Sequence, residues 1–263
     1  MNNRMIVAYL VRRGCAAGLA LVVTCGTGGA ESLENVVPRI KPSVVGIGTY
    51  QATRSPRFVF SGTGFIVGDG NLVATNAHVL TPLQADKMES LVAVIPAESS
   101  PDRQRRELRP LMIDKEHDLA LLRLSGPALP ALQLARGDVA REGQSTAFTG
   151  FPIGSVLGLI PVTHRATISA ITPIAMPTPT AQQLDLRTMR RLQAGSFQVL
   201  QLDATAYPGN SGSPLYDAST GEVIGIVNLV FVKATKEAIL SQPSGISFAM
   251  PVEYLHALLG TLK

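Results

Sequence analysis

The sequence predicts an all-β chain of two lobes closed by one C-terminal helix. Three observations predict it. Short apolar or alternating runs recur at close spacing from Ser43 onward, turn residues separate them, and a proline-led helical stretch follows the last run. About a dozen short strands with few helical stretches point to a sandwich or barrel.

The first set of runs is Ser43–Tyr50, Phe58–Val67, Leu72–Val79, Leu91–Ile95, Leu108–Ile113 and Leu119–Leu124. The second is Ser145–Phe151, Val162–Ile171, Phe197–Leu202, Gly212–Tyr216, Glu222–Phe231 and Ile246–Met250. Gly68-Asp69-Gly70-Asn71 and Asp217–Gly221 read as hairpin connections. Ser125–Gly143, with Pro127 and Pro130, reads as the join between two β halves. The expected division is therefore a first lobe over 31–128, a linker over 129–143, a second lobe over 144–250 and a closing helix over 251–263. Pro251 at a helix start, with apolar residues at helical spacing through Leu259, predicts that helix. Met176–Gly195 breaks the strand rhythm: Leu186, Met189 and Leu192 share a helical stripe, with Arg187, Arg190 and Arg191 off it. It reads as a packed loop helix with a solvated basic side, or as a lid beside a cleft. The sequence contains no internal repeat.

Composition narrows the class. With 46% hydrophobic and 16% charged residues, the 263-residue chain is globular and long enough to bury a core. The net charge of +4 is unevenly placed. Residues 1–30 hold Arg4, Arg12 and Arg13 and no acid; removing those three from the 23 Lys and Arg leaves 20 basic against 19 acidic residues. Charge thus gives no support to a nucleic-acid partner. A basic segment, the apolar run Cys15–Thr24 and small residues from Gly26 to Ala30 make 1–30 an expected export signal. A retained anchor, or a lipid anchor on Cys25, is the alternative. Both cysteines, Cys15 and Cys25, fall in this segment, so a chain beginning near Glu31 has no disulfide and no thiolate chemistry. Export without disulfides fits a bacterial envelope: periplasm or extracellular space.

The residues that carry chemistry are Ser211, in Gly209-Asn210-Ser211-Gly212-Ser213-Pro214, His78, in Asn76-Ala77-His78-Val79, and Asp118, ahead of Leu119–Leu124. A serine hydroxyl is inert alone; an imidazole removes its proton and a carboxylate fixes the imidazole's tautomer. The chain order His, Asp, Ser is the one used by chymotrypsin-type folds. Gly209 and Gly212 permit a tight turn in which the N–H groups of Gly209 and Ser211 converge on a developing oxyanion. A plain Pro-Gly-Asn turn explains the segment only if His78 and Asp118 are ignored. His117, His164 and His256 lack a comparable setting, and His117 reads as a solvated neighbour of Asp118. No His, Cys and Asp cluster has metal-ligand spacing, so neither metal nor cofactor is expected. His78 in this role implies a neutral-to-alkaline optimum.

Ser61-Gly-Thr-Gly-Phe65, Ala74–Val79, Asp118–Leu122, Leu202–Leu215 and Gly245–Pro251 together resemble the HtrA/Deg branch of trypsin-like serine peptidases. The resemblance implies two six-stranded β-barrels of the chymotrypsin/trypsin type, with His78 as base, Asp118 as orienter and Ser211 as nucleophile. Two departures stand out. The chain ends about ten residues past Pro251, so regulation through a PDZ groove is not expected, and Ser213 stands where the branch commonly has glycine. Asn210 precedes the nucleophile where trypsin zymogens use an aspartate, which argues against activation by a cut N-terminus. Thr205 stands where trypsin carries the aspartate that binds basic side chains; Asp203, eight residues before Ser211, is not its equivalent. The strand Ile226–Val230 is expected to flank the primary pocket, making Thr205, Asn228, Leu229 and Val230 the substrate-binding candidates. Val230 in place of a glycine narrows the mouth and implies a small aliphatic P1 residue. The function implied is an exported endopeptidase acting on polypeptides through an acyl-enzyme, with its oligomeric state left open and a monomer allowed. The alternative is a protease-fold binding or chaperone-like module with little or regulated turnover.

Overall fold

The computed structural model describes residues 31–84, 89–96, 104–137, 140–154, 158–174, 197–229 and 245–262. Among them, β1 (Val44–Tyr50), β2 (Phe58–Val67), β3 (Leu72–Asn76), β4 (Ser90–Ile95), β5 (Gln104–Asp114) and β6 (Leu119–Leu124) close into one barrel. A second barrel is closed by β7 (Ser145–Gly150), β8 (Val162–Ile174), β9 (Phe197–Asp203), β10 (Pro214–Asp217), β11 (Val223–Asn228) and β12 (Ile246–Pro251). All named pairings are antiparallel. The first barrel runs β1-β2-β3-β6-β5-β4 and the second β7-β8-β9-β12-β11-β10. Adding six to each number of the first order gives the second. The two lobes repeat one topology that left no repeat in the sequence.

The near-continuous apolar runs follow from strands buried on both faces. In β6, Ala120, Leu122 and Leu124 point into the first barrel with Val45, Ile47, Ile66 and Val73. Leu119 and Leu121, on the opposite face, join Val44, Phe65, Leu72 and Ala74 in a layer between the barrels. That layer receives Phe151, Tyr216, Val223, Ile226 and Met250 from the second lobe. Period-two alternation therefore sorts these side chains between two cores rather than between core and water. Truncating any of the fully buried leucines to alanine should cost about 2–5 kcal/mol.

Two helices seal the layer. α1 (Leu33–Ile40) was not evident from the strand pattern, although Leu33, Val36 and Ile40 recur at helical spacing and are its buried residues. They pack beside Val223 and Tyr216 of the second lobe. α2 (Val252–Gly260) begins one residue after the expected proline and buries Val252, Leu255 and Leu258. The join between the lobes is strapped to both: Leu129 N–H donates to Gly70 O at 2.9 Å and Leu132 N–H to Ile66 O at 2.9 Å. Beyond them, Ala135 N–H donates to Val223 O at 2.9 Å. Met176–Gly195 and residues 1–30 lie outside the described residues.

Candidate active site

β3 stops earlier than expected. The apolar run continues through Val79, but pairing ends at Asn76 and Ala77–Gln84 turn into a 3-10 helix. Asp118 is the reason. Its carbonyl accepts Ala77 N–H at 3.0 Å and Asn76 Nδ2 at 3.1 Å, and its Oδ1 accepts His78 N–H at 2.8 Å. Donors that would have extended a strand are used instead to hold a carboxylate. Asp118 itself closes the β5–β6 turn with φ +53°, a left-handed conformation that aspartate tolerates better than most residues.

The same carboxylate holds a ring. Asp118 Oδ2 lies 2.5 Å from His78 Nδ1 and accepts Asn228 Nδ2 at 2.8 Å. With Asp118 buried to 9% side-chain exposure, these donors compensate the loss of water around the charge. A carboxylate on Nδ1 fixes the tautomer that leaves Nε2 as a proton acceptor.

Ser211 is tied to this pair through β11 and through the first barrel. Gly212 N–H donates to Val227 O at 2.9 Å and Val227 N–H to Ser213 O at 2.9 Å, and the next residue along is Asn228. From the other lobe, Thr63 N–H donates to Ser211 O at 2.9 Å, and Thr63 Oγ1 donates to Gly209 O at 2.6 Å. Gly62 shows how closely the parts approach: a β-carbon there would lie 2.8 Å from Val79 Cγ2 and 3.1 Å from Ser211 O. Ser211 is buried to 5% exposure.

The N–H groups of the turn divide in two. Those of Asn210, Gly212 and Ser213 are spent on Tyr207, Val227 and Asn210 carbonyls. Those of Gly209 and Ser211 have no acceptor among the described residues. Pro208 O accepts Ile153 N–H at 2.7 Å, so across the planar trans peptide the Gly209 N–H points the opposite way. Gly209 (φ +101°) and Gly212 (φ +85°) both need the left-handed region, and added β-carbons would lie 2.3 Å from Phe151 O and 2.0 Å from Thr63 O. Beneath the turn, Asn210 is fully buried and neither polar atom of its carboxamide has a partner in the described structure.

The substrate-binding candidates fare differently. Thr205 sits in a segment clasped to β12, because Ser247 Oγ donates to Ala204 O at 2.7 Å and accepts Ala206 N–H at 2.9 Å. Leu229 is 8% exposed at the end of β11. Asn228 is fully buried and directs its carboxamide to Asp118, so the structure gives its side chain a partner across the lobes. Val230 lies outside the described residues.

Sequence reasoning missed Asn228 as a support of Asp118, Thr63 and Ser247 as clasps, and the setting of His117. The last is not a solvated neighbour: its side chain is 21% exposed and stacked on Tyr254. His164 stacks on Phe148, and burial pushes its pKa below 6.5; His256 Nε2 sits 2.8 Å from Ala135 O. A cavity of about 690 Å³ lined by Arg136, Gly137, Gln198, Glu253 and His256 shares no residue with the His78–Asp118 assembly and presents no nucleophile. Among the described residues no group of three or more His, Cys, Asp and Glu is placed to hold a metal ion.

Comparison with known proteins agrees with this geometry. Residues 62–226 match the model of the trypsin-like peptidase domain. The chain is 30% identical over 251 residues to serine protease HTR4 of Bos taurus, covering 89% of this chain and 43% of that protein. It is 27% identical over 202 residues to a probable periplasmic serine endoprotease DegP-like of Pseudomonas fluorescens, covering 77% and 35%. It thus spans less than half the length of either relative. Among solved structures, the HtrA-type protease AlgW with tripeptide superposes with TM-score 0.60 at 26% identity, over 88% of this chain and 63% of that one. The fold is shared also with Deg5, at TM-score 0.59 and 22% identity over 85% and 90%. Twin barrels of one topology, the seam between them and a family match running from Gly62 to Ile226 lead to one assignment: the chain belongs to the trypsin-like peptidase family.

Proposed function

We propose that the chain is an exported serine endopeptidase that cleaves polypeptides through an acyl-enzyme. One observation carries the reading: Asp118, buried at the seam, grips His78 Nδ1 while Asn228 joins it to the strand that anchors the Ser211 turn. Ser211 Oγ attacks the scissile carbonyl as His78 Nε2 takes the hydroxyl proton. The N–H groups of Gly209 and Ser211, which have no acceptor among the described residues, receive the oxyanion. Each such donor is worth on the order of 10²–10³ in turnover in enzymes of this kind. His78 then returns the proton to the leaving amine, and water repeats the sequence in reverse to free the acid.

A small aliphatic P1 residue is the specificity this reading assigns, with Thr205, Leu229 and Val230 kept as the candidates for the pocket. Discrimination resting on a methylene or two should be modest, roughly 10–200-fold. Export is supported by the basic-then-apolar pattern of residues 1–30 and by a relative named periplasmic.

A fluorophosphonate probe tests the chemistry. Wild-type protein should label, whereas Ser211→Ala and His78→Ala should label hardly at all, since the three residues act as a unit. Wild type that stays unlabelled would instead favour a binding module built on this fold. Cleavage mapping of casein by mass spectrometry tests the pocket; dominant cuts after Lys, Arg or Phe would overturn the small-P1 assignment. N-terminal sequencing of the exported protein tests the leader.

A further inference from the structure

His117 immediately precedes Asp118, yet nothing in the proposed chemistry uses it. Its surroundings are built. Asp114 Oδ1 accepts the N–H groups of Glu116 at 2.9 Å and His117 at 3.2 Å, while Asp114 Oδ2 lies 2.6 Å from His117 Nδ1. Burial alone would raise the Asp114 pKa, but these hydrogen bonds from the His117 ring and the turn's N–H groups hold it below its ordinary value. The carboxylate thus fixes both the β5–β6 turn and the plane of the ring.

That plane faces the other half of the molecule. The His117 ring stacks on Tyr254 of α2 with centroids 4.0 Å apart and 19° between planes. It meets Phe197 of β9 edge-on at 5.4 Å and 68°. Phe197 and Tyr254 are themselves edge-on at 6.2 Å and 78°, and Tyr254 OH accepts Gln198 N–H at 3.2 Å. One imidazole from the first barrel is thereby seated in an aromatic corner made by the second barrel and the closing helix. Offset and edge-to-face rings resist sliding, which gives the contact a defined geometry.

We propose that His117 is a positioning residue: its seat on Tyr254 and Phe197 fastens the turn that places Asp118, and so keeps the carboxylate on His78. Consecutive Cα atoms are about 3.8 Å apart, so a shift of His117 is passed almost directly to Asp118. Asp118 is held from the inner side by Asn76, Ala77, His78 and Asn228, and His117 supplies the outer hold. A left-handed residue stays in place only while its surroundings over-determine it. The inference rests on the peptidase reading for its consequence in catalysis, but not for its structural content.

The test uses the full chain with His117→Ala and His117→Phe, the second keeping a ring for the stack but losing the bond to Asp114. Two readouts are taken: kcat and KM on a peptide substrate, and the low-field proton NMR signal of His78 Nδ1–H bonded to Asp118. His117→Ala should lower kcat by roughly 10- to 100-fold with KM little changed, as expected for an ångström-scale misplacement. It should also broaden or erase the low-field signal, and His117→Phe should restore most of both. Wild-type kcat and an intact signal in His117→Ala, whatever its melting temperature, would overturn the proposal; so would a phenylalanine variant no better than alanine. If His117→Ala does not fold, Tyr254→Leu removes the stack from the other side and must weaken the same signal; an undisturbed signal there counts against the proposal. A wild-type chain that shows the signal but neither labels nor cleaves, and loses the signal in His117→Ala, would sink the peptidase reading and leave this one standing.

Discussion

Asn228→Ala separates two roles that one residue was open to. As a pocket wall, its loss would change which P1 residues are cut. As the donor to Asp118 Oδ2 at 2.8 Å, its loss would leave a buried carboxylate short of one hydrogen bond. A hydrogen bond to a charged group contributes about 1.5–3 kcal/mol. At about 2–4 °C per kcal/mol for a chain of this size, the melting temperature should fall by roughly 3–12 °C. If the bond to Asp118 strengthens by that energy only in the transition state, where Asp118 must steady an imidazolium, kcat should fall by about 10- to 150-fold. The P1 profile should not change. Differential scanning calorimetry, steady-state kinetics and cleavage mapping on one preparation measure all three. Unchanged kcat with an altered P1 profile would refute the reasoning, because it would mean that the carboxamide faces the pocket.

Three further outcomes follow from particular positions. Gly212→Ala forces a β-carbon to 2.0 Å from Thr63 O at φ +85°, and should destabilise by more than about 4 kcal/mol. Gly137→Ala, at φ +80° with nothing within 4 Å, is its control and should cost only the backbone penalty of about 1–2 kcal/mol; equal melting temperatures for the two would show that the steric argument is wrong. His164 titrates below 6.5 in the folded chain because of burial, so the unfolded chain takes up its proton first as pH falls. Its contribution is complete above pH 6.5 and is lost as pH drops toward the folded value. His164→Phe should therefore gain stability relative to wild type between pH 7.5 and 5.5; an identical urea-midpoint difference at both would contradict this. Asp69, Asp114 and Asp217 act lower down, since all three are held below 3.8 in the fold. Hydrogen bonds from Asn71 N–H and Arg123 lower the first; in the other two, burial would raise the pKa but hydrogen bonds outweigh it. Their contribution is present above the ordinary carboxylate range and disappears as pH falls through the folded values, which a urea-midpoint series from pH 5 to 2 would follow.

Much of the fold was legible because its signals are local. Runs of four to eight apolar residues between turn residues mark strands wherever they fall, and Pro251 marks a helix start without reference to any partner. The strand ends were less legible. β3 gives way at Asn76 because Asp118, 42 residues away, claims its next donors, and no pattern within Leu72–Val79 announces that. β5 begins at Gln104, before the apolar run from Leu108, because it pairs with β4 beyond its own core-facing residues. The shared topology of the barrels was invisible because topology is a pattern of pairings, which many sequences satisfy.

By itself the sequence determined the parts: a serine turn that demands glycines at 209 and 212, a histidine and an aspartate in the right chain order, and strands enough for two lobes. Those are choices of backbone angle and residue type, written where they act. Tertiary structure alone decided who holds whom. Asn228 reaches Asp118 across 110 residues, Thr63 grips the Ser211 turn from the other barrel, and His117 leaves solvent for a seat between Tyr254 and Phe197. Each of these is a hydrogen bond or ring contact between separate elements. Its partner is set by how the barrels dock, and the flanking residues of neither side contain that information.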